Sequence, residues 1–372
     1  MKLKHLFALS LIALAACNNG NSYQIVCEVP ADIELADSTW AYICTYEAGT
    51  RDRVYTDSAL VVNNKVSISG NIEGSEVRRF EVGYKTKLYA NFILEKGTII
   101  IDIEKKNATN TPLNDALVAC QTAVDSVEKV AQNLYEEVAQ DSTLSDDDRN
   151  EKFATIFSQY NNNVLDIAHA ILKDNTNNAL GRFVFWQNIA YSDGMTPDAY
   201  KQELAQAGEY IATFGPIKGI TKRYEALDAT QPGTHFVDFA IPHGNIDGSE
   251  AKLSDYVGKG KLILVDMWAS WCPPCRAAMP YIRAVYDKYA GDKFDVVSVA
   301  VWDERQHSIN AVPQLGMTWN QIYEAESIPT ELYGVNGIPH LMLIGPDGTI
   351  IARGLSDKVL DLWVSSELKK ME

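Results

Sequence analysis

Seven residues, Lys261-Leu262-Ile263-Leu264-Val265-Asp266-Met267, run through Trp268-Ala269-Ser270-Trp271 into Cys272-Pro273-Pro274-Cys275, and no other stretch constrains this chain as much. An apolar run of that length reads as a strand buried in a sheet. The prolines then open a helix, because a residue in the first helical turn has no use for the N–H that proline lacks. A buried strand leading straight into a helix calls for a sheet covered by helices. Cys272 falls where free backbone N–H groups and the positive end of the helix dipole favour a thiolate. Cys275, one turn on, lies on the same side and can close a disulfide with it. The first sulfur attacks and the second resolves. Zinc sites also use two cysteines at this spacing, but they need a second pair of ligands. The sequence has no other close Cys or His pair, and His307 and His340 stand alone. In its strand-to-helix context the pair reads as redox-active and not metal-binding.

Residues 265–280, from Val265 to Pro280, closely resemble the thioredoxin superfamily, and within it the TlpA/ResA-like membrane-tethered thiol–disulfide oxidoreductases of bacteria. The resemblance covers roughly 233–372 and implies an α/β thioredoxin-like domain. Asp266 matches the buried acid that thioredoxins place behind the redox pair. Such a carboxyl would have a raised pKa and relay a proton to or from Cys275, or else serve only as a structural hydrogen-bonding group. Ile338-Pro339, in Gly337-Ile338-Pro339-His340, matches the cis-proline that faces the disulfide and docks substrate backbone, with His340 where many relatives carry Thr. Trp271, Pro273, Pro274, Ile338 and Pro339 are the expected substrate-binding residues. Trp268 and Trp271 are expected to flank the pair and offer apolar contact. Arg276 is expected to be solvated, and no motif assigns Glu324 or Glu326. The resemblance implies disulfide-containing protein substrates, a membrane thiol–disulfide electron donor and no cofactor.

The N-terminus reads as a targeting segment. Lys2 and Lys4 precede an apolar stretch over 6–16 that is too short to span a bilayer. Leu14-Ala15-Ala16-Cys17 looks like a bacterial lipobox, with residues 1–16 as signal peptide, Cys17 as the lipid attachment point and 17–22 as a tether. An ordinary cleaved secretory signal is the alternative. No other run of eighteen apolar residues occurs, so lipid is the expected anchor and the cell envelope, facing the periplasm, the expected location. Disulfides persist there, so a reducing protein needs electrons from a membrane donor. Loss of Lys2 and Lys4 takes the net charge from −16 to −18, which disfavours nucleic acid and anionic lipid head groups as partners.

With 372 residues the chain has room for two or three domains. Residues 23–110 read as an antiparallel β domain. Tyr23, Ile25, Cys27 and Val29 alternate with polar residues, as do Trp40, Tyr42, Cys44 and Tyr46. Further strands are expected over 65–69, 77–84, 89–94 and 98–103. The order of strands and the segment Phe92-Ile93-Leu94-Glu95-Lys96-Gly97 are similar to a domain of unknown function that often precedes thioredoxin domains in Bacteroidetes lipoproteins. Residues 111–230 read as helical. Leu113, Leu117, Cys120, Val124, Val127, Ala131, Leu134 and Val138 recur at steps of four and three, which fits packing within the chain better than a dimerising coiled coil. Gln231-Pro232-Gly233 is the expected linker into 233–372. That domain is expected to hold strands over 236–239 and 294–302, a helix over 304–315, a hairpin pairing 341–344 with 349–353, and a last helix over 356–370.

Cys120 lies in an apolar stripe and reads as a buried small hydrophobe. Cys27 and Cys44 are expected on the apolar side of neighbouring strands, either as a cross-strand disulfide or as two buried thiols. The chain as a whole reads as an enzyme, a membrane-anchored thiol:disulfide oxidoreductase that reduces protein disulfides. One alternative is a binding or sensory lipoprotein with a minor redox role. Another is a peroxiredoxin-like peroxidase, which typically places Thr three residues before a single peroxidatic Cys, where this chain has Ala269.

Overall fold

A computed structural model describes residues 20–35, 38–46, 53–84 and 88–371. The expected signal peptide over 1–16 and the lipobox Cys17 lie outside the described residues. The chain divides into two compact units. One runs to Met195 and includes Ala199–Lys218, and the other holds Thr196–Asp198 and everything from Gly219.

The first unit begins with β1 (Ser22–Glu28), β2 (Trp40–Tyr46), β3 (Arg53–Leu60), β4 (Lys65–Asn71), β5 (Glu76–Val82), β6 (Tyr89–Leu94), β7 (Gly97–Asp102) and β8 (Asn107–Thr109). They form two four-stranded sheets, β4-β1-β7-β8 and β3-β2-β5-β6. The pairings are antiparallel except β1 with β7. Tyr23, Ile25 and Cys27 of β1 share one core with Ile43, Phe80 and Phe92, so the alternation of β1 marks its inner face. In β2 the alternation marks the wrong face. Ala41 and Ile43 point inward, while Trp40 is 44% exposed. Cys44 is buried on the opposite side, near Arg79, Trp186 and Phe214. Cys27 and Cys44 are therefore not on neighbouring strands. β1 and β2 belong to different sheets, and both thiols are free and buried.

Helices follow: α1 (Pro112–Gln140), α2 (Asp146–Leu172), α3 (Ala179–Val184), α4 (Pro197–Ala207), α5 (Glu209–Ala212) and α6 (Gly215–Ala229). α1 and α2 pack on each other, with Tyr135 and Phe153 at 5.5 Å between ring centres near the turn that joins them. Cys120 is a buried free thiol of α1. Gly219–Ala229 of α6 belongs to the second unit.

The second unit contains β9 (Ala240–Ile241), β10 (Ala251–Lys252), β11 (Leu262–Trp268), α7 (Pro273–Tyr289), β12 (Phe294–Ala300), α8 (Arg305–Gln314), β13 (Asn320–Ile322), α9 (Ile328–Leu332), β14 (His340–Ile344), β15 (Ile350–Arg353) and α10 (Leu360–Lys370). The strand expected over 236–239 is absent there. Ala240–Ile241 pairs with Ala251–Lys252 instead, and His235 makes a single bridge to Thr349. The main sheet has the order β13-β12-β11-β14-β15, with β11 parallel to β12 and antiparallel to β14. Every residue of central β11 is buried, because both faces of the sheet are covered. Leu262, Leu264 and Trp268 pack with Met279, Ile282 and Val364 from α7 and α10. Ile263, Val265 and Met267 pack with Leu253, Tyr333 and Met342 on the other face. Each such side chain contributes about 1.5–3 kcal/mol by leaving water. The sheet thus holds both ends of the site, the start of α7 after β11 and the start of β14, side by side.

Candidate active site

Cys272 is the N-cap of α7. Its backbone is extended (φ −87°, ψ 106°), and its Sγ accepts from the Cys275 N–H at 3.2 Å. Pro273 and Pro274 occupy the first helical turn and are exposed. The two sulfurs are joined in a disulfide, with 5.3 Å between the Cα atoms. Cys272 keeps 3% of its surface and Cys275 none, so any partner reaches the pair through Cys272. The Ile338–Pro339 peptide bond is cis, and the Ile338 carbonyl oxygen lies 3.7 Å from Cys272 Sγ. In the disulfide this is a contact without a proton; once the pair is reduced, the thiol can donate to that oxygen.

The loop between β11 and α7 is held by groups with no signal in the sequence. The Ser270 N–H donates to Asp303 Oδ2 at 2.7 Å, and the Ser270 hydroxyl donates to Asp303 Oδ1 at 3.0 Å. Arg276 is not merely solvated, since its Nη1 donates to the Ser270 carbonyl at 3.3 Å. Trp271 is 57% exposed, and its Nε1 donates to the Trp302 carbonyl at 2.8 Å, which fixes the ring at the rim. Trp268 is wholly buried in the core and has no surface to offer a substrate, contrary to expectation. Its position follows from strand alternation, which aims residue 268 under α7.

Asp266 is fully buried. Its Oδ2 accepts from the Ser298 hydroxyl at 2.8 Å, and that hydroxyl accepts from Trp319 Nε1 at 2.8 Å. Oδ1 has no partner among the described residues. Burial pushes the carboxyl up to about 7, against a weaker lowering by Ser298. Along β11, Asp266 shares its face with Leu264 and Trp268, the face on which α7 and Cys275 pack. His340, next to the cis-proline, is driven down to about 4, first by burial and then by the Arg353 charge, so its ring is neutral at pH 7. Ala269, three residues before Cys272, is buried and carries no hydroxyl for a peroxidatic sulfur.

Residues 232–353 match the AhpC/TSA family, and residues 23–117 match a domain of unknown function (DUF4369). The chain is similar to the thiol-disulfide oxidoreductase ResA of Geobacillus thermodenitrificans, 27% identical over 122 residues that cover 33% of this chain and 68% of the relative. It is likewise similar to ResA of Oceanobacillus iheyensis, 29% identical over 146 residues, 39% of this chain and 72% of the relative. Among solved structures, the thioredoxin domain of a thiol-disulfide oxidoreductase from Bacteroides vulgatus aligns at 26% identity with a TM-score of 0.33, over 36% of this chain and 96% of that one. The sequence matches make the chain an enzyme of the thiol:disulfide oxidoreductase class with a thioredoxin-fold C-terminal region. Within that class it is TlpA/ResA-like.

Proposed function

We propose that this chain is a lipid-anchored oxidoreductase that reduces protein disulfides outside the cytoplasm. The observation that carries the reading is the disulfide at the α7 N-terminus, in which Cys272 keeps the only accessible surface of the pair and Cys275 keeps none. In the reduced enzyme the Cys272 thiolate attacks a substrate disulfide. A Cys272–substrate bond forms, the substrate S–S bond breaks, and the departing sulfur takes a proton. The Cys275 thiol then gives its proton to a base and attacks Cys272, which closes the internal disulfide and frees the second substrate thiol. Two electrons pass from the cysteine pair to the substrate, and a membrane thiol–disulfide donor restores them.

Asp266 is the base, or reaches the thiol through water. Its buried carboxyl titrates near the pH of the reaction, and its Oδ1 has no partner among the described residues. Ile338 and cis-Pro339 dock the substrate backbone beside Cys272, and exposed Trp271, Pro273 and Pro274 frame the entry. Cys17 carries the lipid. Among the described residues no helix is long and apolar enough to cross a membrane.

Insulin reduction tests the reading. Cys272→Ser should lower turnover to background, and Cys275→Ser should accumulate a mixed disulfide with substrate. Full turnover by Cys272→Ser would contradict it. Cell fractionation tests the anchor. Cys17→Ser should leave the membrane pellet, and retention there at the wild-type level would mean that another anchor exists.

A further inference from the structure

Beside the cis-proline, on the sheet face away from Cys272, lies a cavity of about 180 Å³. Arg223, Arg353 and His340 line it, together with residues 334–337. Arg223 comes from the second half of α6, before residue 232, where the AhpC/TSA match begins.

Two guanidinium groups face this space without a carboxylate partner among the described residues. Arg353 donates only to neutral oxygens, from Nη1 to the Thr230 carbonyl at 3.0 Å and to the Thr230 hydroxyl, and from Nη2 to the Tyr333 carbonyl at 2.5 Å. Arg223 spends Nε on the Gly334 carbonyl at 3.2 Å, and its two Nη groups have no hydrogen-bond partner among the described residues. Each arginine carries five donors, so several remain. The two charges sense each other, since Arg223 lowers the basicity of Arg353 beyond the larger effect of burial. His340 Nε2 is buried with no partner among the described residues, and its neutral ring can present an N–H there. Gathering like charges around a concavity costs energy that an anion bound there would offset.

The cavity is built, not incidental. Gly334 has φ +63°, and a Cβ there would lie 2.6 Å from the Arg223 carbonyl, so α6 packs directly on this loop. Gly354, also at φ +63°, leaves the His340 ring in ordinary contact at 3.9 Å from where its Cβ would be.

We infer that this cavity binds a carboxylate, held by Arg223 and Arg353 with His340 as a further donor. Bidentate guanidinium–carboxylate pairing suits the planar forks present. The cavity shares the 335–340 loop with cis-Pro339, so the occupant we assign is an acidic side chain of a substrate that docks its backbone on that loop. This use rests on the oxidoreductase reading above. A free small carboxylate is the other source of the same group.

The test uses the full-length protein in detergent and two disulfide-bonded peptides that differ only in Glu or Gln near one half-cystine. The wild type should reduce the Glu peptide with a kcat/KM about tenfold above the Gln peptide, as expected of one charge-assisted contact. Arg223→Gln, which keeps a donor for the Gly334 carbonyl, should erase that preference and leave Gln-peptide turnover unchanged. Arg223→Lys should restore part of it. If the two peptides are reduced equally but succinate raises the melting temperature of the wild type and not of Arg223→Gln, the carboxylate is a free one. If neither peptide preference nor succinate stabilisation depends on Arg223, the inference is overturned. Failure of the wild type to reduce either peptide would instead overturn the oxidoreductase reading.

Discussion

The cysteines of the two units sit in opposite surroundings. Cys27 and Cys44 lie inside the β unit, and burial pushes their thiols up to about 12 and about 11. Cys120 is raised by burial as well. Cys272 is about as buried as these, yet it caps a helix and accepts a backbone N–H. Similar accessibility therefore goes with opposite surroundings of the sulfur. What separates them is the polar structure behind the sulfur. Around Cys44 burial outweighs the lowering by Arg79, Arg53 and Arg78, whereas a sulfur at a helix start meets oriented N–H dipoles.

Asp266 sharpens that contrast most. Its carboxyl, raised by burial from 3.8 to about 7, holds a proton in the folded state over a pH range where the unfolded chain has released it. The folded state then binds more protons, so stability falls as pH rises from about 4 to about 7, by about 1.4 kcal/mol per pH unit, and levels off above. Asp266→Asn should remove that slope. In urea titrations of the oxidised protein the variant should gain on wild type through that window and hold its lead at pH 8. Parallel pH profiles would mean that Asp266 ionises as an exposed acid does. In single-turnover reduction the same variant should hold the mixed disulfide longer at pH 7, with the defect shrinking toward pH 9 as Cys275 ionises unaided. Unchanged release across that range would leave Asp266 a structural role only.

A smaller effect is expected on the other side of the comparison. Cys27→Ser places a hydroxyl in an apolar core and should cost about 1–3 kcal/mol, read as a lower urea midpoint, with insulin reduction unaltered. A loss of turnover greater than the loss of folded protein would give Cys27 a redox role.

What could be read from the sequence follows from where signals are local. β11, the prolines of α7 and the hairpin around Gly345-Pro346-Asp347-Gly348 each declare themselves within a few residues, and the structure has them. β2 misled because one residue of its outer face, Cys44, is buried as well. Ile43 enters the core between the sheets while Cys44 is buried on the outer face, so the polar-apolar alternation loses its meaning. The strand expected over 236–239 failed for a different reason: apolar residues there fill the core beneath the sheet without pairing along it. Asp303, which pins the loop before Cys272, lies 33 residues from Ser270, and nothing in either segment announces the contact. The pairing of Arg223 with Arg353 was hidden likewise, since only the fold brings α6 beside the 334–337 loop.

Site-resolved alkylation of the reduced, folded protein tests the central claim most directly. With limiting iodoacetamide at pH 7, mass spectrometry should find Cys272 modified first, and Cys27, Cys44, Cys120 and Cys275 labelled only after denaturant is added. Labelling of Cys27 or Cys44 as fast as Cys272, or a Cys272 rate that rises only above the ordinary thiol pKa of about 8.5, would contradict the account.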